Sequence, residues 1–63
     1  MSNLCETSER PIKGTTMTIE TRVYEDGYVQ VTIIDQLGLE VDSIDGNTRL
    51  VGHLEDILLD RYI

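Results

Sequence analysis

The feature that most constrains this chain is Asp26-Gly27, set between two runs that alternate in polarity. In residues 18–24, Ile19, Thr21 and Val23 fall on one side and Thr18, Glu20, Arg22 and Tyr24 on the other. In residues 28–35, Val29, Val31 and Ile33 oppose Tyr28, Gln30, Thr32 and Ile34. Both runs are rich in β-branched and aromatic residues, which suit a pleated surface. An Asp-Gly pair between two such runs signals a β-hairpin.

Burial then fixes the register. A two-residue loop at Asp26-Gly27 would set Val23 opposite Gln30 and mix the faces. A three-residue loop, Glu25-Asp26-Gly27, pairs Val23 with Val29, Thr21 with Val31 and Ile19 with Ile33, so the apolar residues share one face. That loop is a type I turn followed by a residue in the left-handed region, where glycine sits without steric cost. Tyr24 and Tyr28 then face each other on the outer surface.

Leu37, Leu39 and Val41 alternate within residues 37–42, which predicts a third strand with these three on one face, and Asp35 to Gly38 supplies the reversal before it. Asp45-Gly46-Asn47 reads as a turn. After it, either residues 48–51 form a fourth strand, or Asn47 or Thr48 caps a helix. The helix is better supported. Leu50, Leu54, Ile57, Leu58 and Tyr62 make an amphipathic stripe, against Arg49, Glu55, Asp56 and Asp60. Gly52 weakens its first turn by about 1 kcal/mol relative to alanine, so the helix is firm from His53 onward. The expected fold class is α+β: an antiparallel three-stranded meander, with a four-stranded version as the alternative, covered on one face by a C-terminal helix.

Residues 1–16 are polar, hold the chain's only proline and show no periodicity, and so read as a flexible tail before a single domain at 17–63. The codons of Lys13-Gly14 can spell a ribosome-binding sequence, with Thr15 and Thr16 as a spacer, so Met17 is expected to be the true or an alternative start.

A domain of 63 residues buries only about 60% of its unfolded surface. Such chains usually draw on disulfides, a metal or a partner. The single Cys5 cannot make an internal disulfide and has no ligand-like neighbours for zinc. A partner protein or a homodimer is the expected source of the remaining stability. No apolar run is long enough to span a membrane, the first residues lack a secretory h-region, and one cysteine fits the cytoplasm, or the host cytoplasm for a viral protein. The formal net charge is −7. Glu6 and Glu9 cancel Arg10 and Lys13, so all of it lies in residues 17–63. Such charge opposes direct binding to nucleic acid or anionic lipid.

Catalytic patterns are weak. His53 as a general base would need a nucleophile or an orienting carboxylate; Asp56 and Asp60 fall within reach on the helix, but the constellation catalysis needs is missing and His53 reads as a polar helix residue. Cys5 sits on the expected tail, without a water-excluding pocket. Residues 42–53 depart from a calcium loop, with Ile44 at its third position and His53 at its twelfth. No glycine-rich phosphate loop is present, and no cofactor or metal is expected. The chain is therefore expected to be non-enzymatic.

Two surfaces remain for binding. Dispersed carboxylates could imitate a phosphate backbone and occupy a nucleic-acid-binding protein. Apolar and aromatic groups left off the core could form a protein interface: Tyr24, Tyr28 and Ile34 on the outer sheet face, Glu25 and Asp26 beside them, and Leu59 and Ile63 off the helical stripe. The expected function is a small acidic regulator that binds a protein, such as a phage or prophage accessory factor inhibiting a host protein. A nucleic-acid mimic and a structural homodimer are the alternatives.

Overall fold

The computed structural model describes residues 3–62. Four antiparallel strands form one open sheet in the order β1-β2-β3-β4. They are β1 (Leu4–Pro11), β2 (Thr18–Tyr24), β3 (Tyr28–Ile34) and β4 (Glu40–Asn47). One turn of 3-10 helix, Thr48–Leu50, leads into α1 (Val51–Asp60), which lies on one face of the sheet.

The β2–β3 hairpin has the register that burial requires. Val23 pairs with Val29, Thr21 with Val31 and Ile19 with Ile33. The Gly27 amide donates to the Tyr24 carbonyl at 3.0 Å, closing the type I turn, and Gly27 takes a φ of 88°. Asp26 supports the turn by accepting from the Tyr28 amide at 3.0 Å.

Val29, Val31 and Ile33 are fully buried beneath Leu54 and Leu58, with Ile12 and Ile19 completing the core. Fully burying each such aliphatic group stabilises the fold by about 1.5–3 kcal/mol. Met17, Val23, Ile44, Val51, Leu59 and Tyr62 pack around this centre. Among the described residues, every buried side-chain nitrogen or oxygen has a hydrogen-bond partner.

Four expectations change. Residues 4–11, read as part of a flexible tail, form β1 against β2. All eight of its side chains are exposed, so no apolar alternation marks the strand; backbone pairing alone defines it. The fourth strand thus lies on the N-terminal side, and residues 48–51 are helical. Secondly, β4 begins at Glu40, and Leu37, Leu39 and Val41 are exposed instead of facing the core. Ile44 opposite Val31 faces the helix, in register with Asp42 opposite Ile33 and Gly46 opposite Val29, so Val41 is left as the extra residue of a bulge between Ile33 and Ile34, and Leu37 and Leu39 lie in the turn before the strand. Thirdly, Asp45-Gly46-Asn47 is strand, not turn. Gly46 pairs with Val29, and Leu54 packs directly over it. Finally, the buried stripe of α1 is rotated. Val51 and Leu59 join Leu54 and Leu58 against the core, while Leu50 is exposed.

Candidate functional site

The helix covers one face of the sheet, and polar contacts fasten it along both margins. Toward β1, Glu55 accepts from the Thr21 hydroxyl at 2.6 Å and from Arg10 at 2.7 Å. Toward β4, Asp42 accepts from Arg61 at 2.9 Å and from the Tyr62 hydroxyl at 3.1 Å. The Arg61 guanidinium holds the Asp42 carboxyl below its usual range. Desolvation, then the facing Asp42, raises the Tyr62 phenol above its own. These groups anchor the helix and are already engaged.

Among the described residues the opposite face carries no second layer. At the hairpin end, the Tyr24 and Tyr28 rings lie 5.4 Å apart and tilted by 42°. The Tyr28 hydroxyl donates to Asp45 at 3.0 Å, and this bond raises the Tyr28 phenol above its ordinary value. Glu25 and Asp26 are exposed at the tip, as their sequence positions suggested. Further along the same face Arg22 pairs with Glu20 at 2.7 Å, a bond that leaves little of Glu20 in water. Ile34, half-buried, closes the strand at the far end.

Two expected site residues lie elsewhere. Leu59 is partly buried against the core, because the buried stripe is rotated toward it. Ile63 lies outside the described residues.

The far end holds what sequence reasoning missed. Leu37 is 76% exposed and Leu39 61%, and a closed network of bonds fixes the turn that carries them. The Asp35 amide donates to the Leu39 carbonyl at 2.9 Å, and the Gly38 amide to the Asp35 carbonyl at 3.0 Å. The Asp35 carboxylate accepts from both the Leu37 and Leu39 amides at 2.9 Å. Gly38, with a φ of 84°, completes a type I turn plus left-handed residue, the same device as at Gly27. The reversal at residues 35–38 stands where the sequence put it; what went unread is that the turn holds Leu37 and Leu39 in water.

Among the described residues there is no pocket, and no group of three His, Cys, Asp or Glu is placed to hold a metal ion. His53 and Cys5 are exposed. No described helix is long and apolar enough to cross a membrane.

The carboxylates divide among several surfaces. Glu9, Glu20 and Asp45 belong to the helix-free face by register, Glu6, Asp42 and Glu55 to the helix side, and Glu25, Asp26 and Asp35 to turns at both ends. Glu20, Asp42 and Glu55 are each paired with an arginine.

The chain matches no known protein family, no curated protein and no solved structure.

Proposed function

We propose that this chain is a small non-enzymatic regulator that acts by docking on a partner protein through the leucine-bearing β3–β4 turn. The observation that carries this reading is the Asp35 network, which holds Leu37 and Leu39 in water on a closed turn. A leucine on a floppy loop loses conformational freedom when it binds. Here the fold has already ordered the turn, so more of the apolar gain remains for affinity. Two apolar anchors on an acidic body suit a partner cleft that is greasy at its floor and basic at its rim. Inhibition of a host protein by a phage or prophage accessory factor is the finer form of this reading, resting on the chain's size and acidity. The nucleic-acid mimic draws less support, since it needs carboxylates gathered on one face.

The test is affinity capture from a lysate of the encoding organism, comparing wild type with the double variant Leu37→Ser/Leu39→Ser. Each buried leucine contributes about 1.5–3 kcal/mol, so a partner held by this turn should fall at least about tenfold in the variant. The variant's own stability should stay within about 0.5 kcal/mol, as both side chains are exposed. Equal capture by both chains, or no partner enriched by wild type, sinks the proposal.

A further inference from the structure

We infer that β1 is a self-association edge, along which a second copy of the chain docks antiparallel to extend the sheet. The inference is independent of the leucine turn, which lies at a sheet corner away from this edge.

The backbone phase of β1 follows from one bond. The Ile12 amide donates to the Met17 carbonyl at 2.9 Å, and the register continues through Arg10 with Ile19, Ser8 with Thr21 and Glu6 with Val23. Backbone groups of an antiparallel strand alternate in direction. Arg10, Ser8 and Glu6 therefore turn their amides and carbonyls toward β2, and Thr7 and Glu9 turn theirs outward. Pro11 falls in the outward phase, where its missing amide leaves the β1–β2 ladder intact.

A second copy must match outward groups to outward groups, which leaves few registers. One centred on Thr7 lets Glu6 meet only Ser8. One centred on Glu9 sets Glu9 against Glu9. The register centred on Ser8 pairs Thr7 with Glu9 through backbone bonds and sets Glu6 opposite Arg10, twice by symmetry. Glu6 and Arg10 share the helix side of the sheet, and Arg10, whose side chain stays 58% exposed while one guanidinium nitrogen holds Glu55, has donors left to bridge to the second copy's Glu6 on that face.

Charge also selects this edge over the other. The cations and carboxylates of residues 1–16 cancel within a chain of net charge −7. The opposite edge, β4, carries Glu40, Asp42 and Asp45 and no basic residue, so two copies meeting there would crowd like charges. The bulge at Cys5 and the proline at residue 11 bound the pairing zone. Two acidic β4 edges remain outermost, so the association closes at two copies.

The register makes a prediction about Cys5. Centred on Ser8, the two Cys5 residues stand about 20 Å apart at roughly 3.3 Å per residue, beyond the reach of a disulfide. The dimer must therefore persist in reducing agent.

The experiment is sedimentation equilibrium of the full chain in reducing agent over a hundredfold range of concentration. Wild type should pass from monomer to dimer. Thr7→Pro removes an outward amide and leaves the bonds to β2, so it should raise the dissociation constant at least about tenfold while circular dichroism stays unchanged. Glu6→Arg alone and Arg10→Glu alone should each associate more weakly than wild type, and mixing the two should restore a dimer, because each then finds an opposite charge. A wild type that stays monomeric overturns the inference. So does a Thr7→Pro chain that dimerises like wild type, or a charge-swapped mixture that fails to pair while both chains remain folded.

Discussion

A β-carbon added at Gly46 would stand 2.9 Å from Leu54 Cδ1 and 3.3 Å from its Cδ2. The missing side chain is thus the seat of the helix on β4. Leu54 is buried, so it cannot swing into water to make room. Gly46→Val should destabilise the fold by about 1–3 kcal/mol through overpacking, seen as a lower urea midpoint. Gly52→Ala is the matched control: nothing lies within 4 Å of its added carbon, and helix propensity should make it stabilising by up to about 1 kcal/mol. An equal effect of the two changes would remove Leu54 as the cause. Asx chemistry makes the neighbouring residues easy to misread, because Asp-Gly-Asn is a frequent turn composition. In this strand Asp45 instead accepts from Tyr28 and Asn47 caps the 3-10 turn by accepting from the Arg49 amide.

Among the elements, β1 puts no buried side chain into the core and serves the sheet through its backbone. Its side chains are exposed, yet its backbone occupies the β1 side of β2, and the loop that follows delivers Ile12, 3% exposed, to the core. That loop is tied by Thr15, whose hydroxyl donates to the Ile12 carbonyl at 2.9 Å and accepts from the Met17 amide at 3.0 Å. A chain begun at Met17 would lose β1, Ile12 and the Arg10–Glu55 pair together. It should unfold at lower temperature than the full chain, by about 2–5 kcal/mol for the loss of a buried isoleucine alone. Thermal melts of the two forms check this, and equal melting temperatures would show β1 to be dispensable.

Across the whole molecule, the parts legible in sequence were those where burial alternates. The β2–β3 hairpin, its loop length, the left-handed Gly27 and the helix all followed from period-two and period-3.6 patterns. The strand that failed to show, β1, buries no side chain, so composition could not mark it. The candidate surface was half legible. Tyr24, Tyr28, Glu25 and Asp26 stand where the hairpin register put them, whereas Leu37 and Leu39 were read as one face of a strand because alternation alone does not tell a strand from the turn that leads into it. Charge adds a pH dependence at this scale. The Arg61 guanidinium, with the Tyr62 hydroxyl, holds the folded Asp42 carboxyl below its ordinary pKa, so these bonds stabilise the fold above the ordinary carboxylate range and are lost as pH falls through the folded value. Wild type should therefore be more stable than Asp42→Asn at neutral pH, and the two should converge below the folded value; parallel urea midpoints across that range would refute the assignment. The meander order of the sheet has a kinetic side as well. Each strand pairs with the one made just before it, so its ladders form from neighbours in the chain and should assemble quickly. The lid over Val29, Val31 and Ile33 comes last. During synthesis those three residues wait uncovered until the turns of α1 arrive, which makes that helix the segment whose delay would most expose the nascent chain to aggregation.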